Sequence, residues 1–164
     1  MDALALYAAQ MRAARGVRDR HLADVDAAMA AWRPRQDVPP IAWHAAHASL
    51  FTAITLCGMG RGDWSFADEA EIATYNFQAP VPGSLPEWAA LRRRIAAWDA
   101  AGDAVAAALP PGGLAATLPY RRAEWLPESC LTWADALAYM AIHEPFHHGE
   151  IGLLRRLAGQ ARVE

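Results

Sequence analysis

His143-Glu144-Pro145-Phe146-His147-His148-Gly149-Glu150 decides the reading of this chain, because it sets two imidazoles four residues apart where an apolar helical stripe should continue. Trp133, Leu137 and Met140 lead into that stripe and Ile151, Leu154 and Leu157 carry it on, so His143 and His147 fall on the face that a helix buries. Burying a polar ring without a partner costs roughly 1–3 kcal/mol. Two such rings one turn apart therefore share a ligand or a hydrogen-bond network, and a common metal ion is the economical explanation.

Outward from this segment, three more amphipathic stretches appear. From Asp2 to about Ala31, Leu4, Met11, Val25 and Trp32 share one heptad position, and Tyr7, Ala14 and Ala28 a second, predicting one long helix interrupted on its seam by Arg18 and His21. After the breakers Pro34, Pro39 and Pro40, a stripe runs through Trp43, His47, Leu50, Phe51, Ile54 and Cys57, and Gly58, Gly60 and Gly62 are expected to end it. A connection of roughly twenty-five residues follows, longer than bundle loops usually are, and its Trp64, Phe66, Tyr75 and Phe77 predict a packed loop. Ser84-Leu85-Pro86-Glu87 reads as a capping box opening a helix with Trp88, Leu91, Ile95, Trp98, Val105 and Leu109 inward and no inward polar side chain. Thr132-Trp133-Ala134-Asp135 is a second capping box and starts the histidine helix. No alternating strand pattern competes. The expectation is one all-α domain over residues 1–164, an antiparallel four-helix bundle with a long loop between helices 2 and 3.

Composition narrows the function. A net charge of −3 argues against nucleic acid and acidic membranes as partners, with Arg92-Arg93-Arg94 read as a solvated face. No window approaches the ~20 apolar residues of a membrane span, and the N-terminus lacks a signal-peptide pattern, so a cytoplasmic protein acting on a small molecule is expected. Cys57 and Cys130 have no CxxC spacing and are expected as reduced thiols. All 15 basic residues are arginine, which removes Schiff-base chemistry and the phosphate-binding-loop lysine together.

A divalent ion on His143 and His147 needs a third protein ligand. His47 is the natural donor, on the buried stripe of another helix, with His44 as its rival and otherwise a support or lid. Three neutral imidazoles leave the ion's charge uncompensated and a coordination position open, which is catalytic rather than structural geometry. Glu150, three residues after His147, is read either as a base or orienter beside a ligand or as a surface carboxylate. Glu144 and His148 lie about 100° from a ligand on the helical wheel and are placed to point sideways at neighbouring helices. Arg18 is read either as binding an anionic substrate at the bundle mouth or, as is commoner, as pairing at the surface with an acid such as Asp24 or Asp68, and His21 as a hydrogen-bonded core residue.

Trp43-His44-Ala45-Ala46-His47 on the second helix, with His143-x3-His147 and Gly149-Glu150 on the last, resembles the DinB/YfiT-like superfamily of metal-binding four-helix bundles. In that family one histidine of the second helix and an HxxxH pair on the fourth hold zinc, nickel, iron or a related ion. The last helix there often reads His-His-Arg-Gly-Gln; here His148 stands where arginine is usual and Glu150 where glutamine is usual, leaving the ligands intact. Characterised relatives include mycothiol-dependent isomerases, bacillithiol S-transferases and the amino-terminal domain of ergothioneine-type sulfoxide synthases. The resemblance therefore implies zinc or nickel, with iron or manganese as alternatives, a low-molecular-weight thiol as cosubstrate, and a transferase, isomerase or hydrolase type of reaction. It equally accommodates a non-catalytic stress-response module and a homodimer.

The competing class is a zinc hydrolase, since His143-Glu144-Pro145-Phe146-His147 matches HExxH with Glu144 as general base. Against it, the metzincin extension would need glycine where Glu150 stands and histidine where Leu153 stands. Pro145 inside the helix also costs roughly 3 kcal/mol and frees the carbonyl of Ala141, so a kink between the ligands is expected.

Overall fold

The computed structural model describes residues 2–76, 82–110, 112–122 and 124–159; Phe77, one of the loop aromatics, lies outside them. Within them the chain is all-α, as expected. The helices are α1 (Ala3–Leu22), α2 (Ala27–Ala31), α3 (Ile41–Ala53), α4 (Glu69–Tyr75), α5 (Trp88–Ala107) and α6 (Trp133–Leu157), and α3 runs on through a π-helical turn over Ile54–Met59. No helix among the described residues is long and apolar enough to cross a membrane.

The four long helices form a ring in which α6 and α5 each touch both α1 and α3. Side-chain pairings fix their directions. His44 meets His147 while Gly60 meets Trp133, so α3 and α6 are antiparallel; Val25 meets Trp88 while Arg15 meets Asp103, so α1 and α5 are too. Arg15 meets Glu144 while Asp24 meets Arg155, which makes α1 and α6 parallel neighbours, and Thr52 against Gly102 with Arg61 on Ala108 makes α3 and α5 parallel. A parallel neighbour obliges the chain to return along the whole bundle, about 30 Å for a 20-residue helix such as α5. That is the physical reason for the long connection between α3 and α5.

Part of that connection is α4, closed by a full capping box between Asp68 and Glu71. Arg94 of α5 holds it in place by binding both Glu71 and the Phe66 carbonyl. Trp64 and Phe66 pack on the core and Tyr75 is buried, so the packed-loop expectation holds for the aromatics the structure describes.

Several local expectations are corrected. The first segment is two helices: Asp26 turns its carboxylate onto the Met29 amide and caps α2, a local bond that competes with helix continuation. The cap of α5 is Glu87 rather than Ser84, its carboxylate accepting from the Ala89 and Ala90 amides, because Pro86 keeps Leu85 out of helical conformation. The Thr132–Asp135 box forms as read. The glycines do not break α3 where expected, since the helix runs to Arg61 and the left-handed φ of +71° falls at Gly62 alone. All 13 residues of α3 are buried, so its stripe widens into a full circumference, which Ala45, Ala46, Ala48 and Ala53 make sterically accessible. α6 stays helical through Pro145, whose ring lies on the exposed side, where water can replace the lost hydrogen bond.

Gly60 is a packing site. A Cβ there would lie 2.1 Å from the buried Trp133 ring. Gly60→Ala is expected to lower stability by about 1–3 kcal/mol, read as a fall in the urea midpoint at unchanged slope; an unchanged midpoint would show that the indole moves freely.

Candidate metal centre

The antiparallel α3–α6 pair brings His47, His143 and His147 together, with one nitrogen of each within 4.8 Å of the others. The Nε2 atom of His143 lies 3.2 Å from the Nε2 atoms of both His47 and His147. Nitrogen ligands at ordinary zinc distances in a tetrahedron are about 3.3–3.4 Å apart, close to both of these separations.

The neighbours of each ring orient it. His47 Nδ1 is 2.5 Å from the Tyr75 carbonyl, and a carbonyl only accepts, so Nδ1 carries the proton and Nε2 presents its lone pair to the cluster. The long connection thus supplies the group that sets the His47 tautomer. Trp43 stacks on the same ring at 4.6 Å and nearly parallel, fixing its plane. His44 resolves its rivalry with His47 by geometry: its Nδ1 lies 3.0 Å from His147 Nδ1, on the side of that ring away from Nε2. His44 therefore contacts His147 from outside the three-nitrogen cluster and does not join it. Phe51 and Tyr139 flank His143.

Without an ion these rings make a poor network. His47 Nε2 bears no proton, so His143 Nε2 would have to donate to it, and a nitrogen that donates cannot also accept from His147. A single proton would have to serve both contacts, whereas a cation satisfies all three lone pairs. The His143 Nδ1 atom is buried with no hydrogen-bond partner. These three histidines could hold a metal ion.

Electrostatics agree with neutral rings. Burial pushes His47 and His44 down to about 4 and His143 to about 3, and it lowers His147 further, aided by the neighbouring histidines. A ring held neutral binds fewer protons folded than unfolded, so its contribution to stability is complete above the unfolded value near 6.5 and is lost as pH falls toward the folded value. A histidine shifted by two pH units contributes about 3 kcal/mol. The metal-free protein is therefore expected to lose most of its stability between pH 6.5 and 4, measured by urea unfolding across that range. A flat profile there would show that water reaches the rings.

The histidines line a cavity of about 550 Å³ whose other walls include Phe51, Trp125, Leu126, Tyr139 and Phe146. The loop carrying Trp125 comes from the α5–α6 connection and was not singled out in the sequence, where nothing but its tryptophan marks it. Glu150 is half-buried and outside the cavity wall.

Glu144 points sideways, as its wheel position allows, and away from the cavity wall. It is 0 % exposed, accepts from Arg15 Nε and Nη2 at 3.2 and 3.1 Å, and accepts the Thr52 hydroxyl at 2.7 Å. Complete burial pushes its carboxyl up, while Arg15 and Thr52 pull it back. A general base beside the ion, as the catalytic reading of Glu144 and the zinc-hydrolase reading require, is not what this geometry builds. Two further expectations are corrected with it. Arg18 is buried, paired with Asp99 at 2.8 Å and donating to Ser49, while Asp24 takes Arg155. Asp99 is thus a buried carboxylate on the face of α5 read as free of polar side chains. Its spacing of four from Ile95 and three from Gly102 was the available signal.

Residues 10–151 match the family description of the DinB superfamily. The chain belongs to that superfamily. No curated protein and no solved structure gives a match. The match takes in α3, the cavity loop and the histidine-bearing part of α6, so all three histidines stand inside the DinB region.

Proposed function

We propose that this DinB-superfamily protein is a metalloenzyme that binds one divalent ion, zinc or nickel in preference to iron or manganese, through His47, His143 and His147. Metal-activated water or a low-molecular-weight thiol is its nucleophile, and its substrate is a small molecule. The observation that carries the reading is the convergence of three Nε2 lone pairs on the wall of a cavity large enough for a small ligand. A bound ion would supply Lewis acidity, lowering the pKa of water or a thiol held at an open position toward neutrality. The chain's own contribution is orientation: the Tyr75 carbonyl and Trp43 hold His47, His44 holds His147, and aromatic side chains line the cavity beside them. Glu150, three residues from His147, is the nearest carboxylate along α6 for orienting a ligand, since Glu144 is committed to Arg15.

Loading the metal-free protein with zinc, nickel, iron(II) and manganese in turn, with elemental analysis, tests the first half of the proposal. The cobalt(II) form tests the second: adding 2-mercaptoethanol is expected to produce a sulfur-to-cobalt charge-transfer band. Bound cobalt without that band would favour the non-catalytic module, and failure to load any ion would end the reading.

A further inference from the structure

We infer that the outer face of α6 is a self-association surface, on which a second copy of this chain packs antiparallel and closes the mouth of the cavity. Among the described residues, Arg156 is the one charged residue at an exposed position of α6, whereas the exposed faces of α1 and α5 carry Arg12, Asp19 and Arg20, and Arg92, Arg93 and Asp103. In place of charge, α6 presents Ile142, Phe146, Leu153 and Leu157, which are 71, 60, 41 and 56 % exposed. Their spacing puts them on one helical stripe about 22 Å long. Such a stripe, on a helix that already buries its opposite face, marks an interaction site.

The pattern is its own complement. Gly149 stands at the middle, with Phe146 and Ile142 three and seven residues before it and Leu153 and Leu157 four and eight after. A two-fold axis near Gly149 therefore lays Ile142 and Phe146 of one copy against Leu153 and Leu157 of the other, and symmetry repeats the contact. A Cβ on Gly149 would meet nothing within 4 Å, so no neighbour among the described residues calls for a glycine that costs a helix roughly 0.5–1 kcal/mol; a second helix crossing there does. Charge agrees with the antiparallel sense, which brings Arg156 of one copy toward the loop of the other that carries exposed Glu128 beside Pro127 of the cavity wall. At about 200 Å² for each large side chain, the four residues expose on the order of 450 Å² per copy, and two copies with the flanking Ala138 and Pro145 reach about 1,000 Å², the threshold of a specific interface. Ile142 and Phe146 also stand on the cavity wall, so the second copy supplies Leu153 and Leu157 to its rim. None of this depends on a bound ion.

Sedimentation velocity of the full chain between about 1 and 100 μM, the range in which an interface of this size dissociates, provides the test. A two-copy species is expected, and Leu153→Glu combined with Leu157→Glu should leave single copies with the helical circular dichroism of the parent. Gly149→Cys should cross-link two chains on mild oxidation, since Cys57 and Cys130 are buried, while Leu6→Cys on α1 should not. That cross-link decides the matter if the two glutamates unfold the chain. At the rim, the thiol introduced by Ile142→Cys should react with a water-soluble disulfide reagent several-fold faster once Leu153→Glu and Leu157→Glu are added. Single copies at every concentration, a dimer that survives both glutamates, or cross-linking through Leu6→Cys in preference to Gly149→Cys overturns the inference. Equal reaction rates at position 142 in the two backgrounds overturn the closure of the cavity.

Discussion

Alanine at any one of His47, His143 or His147 is expected to reduce the metal content of loaded protein from about one ion per chain to less than a tenth of that after gel filtration. Zinc sites of four protein ligands bind with about 10–16 kcal/mol, or roughly 2.5–4 kcal/mol for each ligand, so losing one of three costs about two to three orders of magnitude in affinity. Each variant should still fold, because it deletes a ring that burial already disfavours in its charged form. His44→Ala separates support from ligation. His44 touches His147 through Nδ1 and contributes no atom to the three-nitrogen cluster, so its loss should weaken binding about 10–100-fold and leave the stoichiometry at saturating metal unchanged. Retention of the ion in His47→Ala with its loss in His44→Ala would exchange the two roles.

That these three histidines meet was legible because helical periodicity is a strong constraint. Positions 143 and 147 fall on one face of any helix, and His47 falls in register with Leu50, Phe51 and Ile54. What periodicity leaves open is which neighbour a helix faces and in which direction that neighbour runs. The packed connection between α3 and α5 was visible as an excess of length and aromatics, yet its use of the Tyr75 carbonyl to set a tautomer is a backbone interaction that no side-chain pattern encodes. The buried ionic cluster was misread for a related reason. Arg15, Arg18 and Asp99 each look like surface residues singly, and only the pairing of α1 with both α5 and α6 makes them partners inside the bundle.

That cluster gives the largest expected effect on stability. Arg15→Met removes the bidentate partner of Glu144, a carboxylate with 0 % exposure whose remaining donor is the Thr52 hydroxyl, and is expected to cost about 3–5 kcal/mol at pH 7. The cost should shrink in acid. Without Arg15, burial alone governs Glu144 and raises its folded pKa further, so the folded state binds the proton more readily than the unfolded chain. Between the unfolded carboxyl value near 4.3 and the raised folded value, stability of the variant then falls as pH rises, opposite in sign to the histidine contribution. Urea unfolding at pH 5 and pH 7 should show the gap from the parent protein widening with pH. Adding Glu144→Leu to Arg15→Met should recover most of the loss, since an apolar pair of similar volume needs no counter-charge. Recovery without loss of bound metal would also show that Glu144 holds the bundle and not the ion, whereas a cost below about 1 kcal/mol for Arg15→Met would mean that water already solvates the pair.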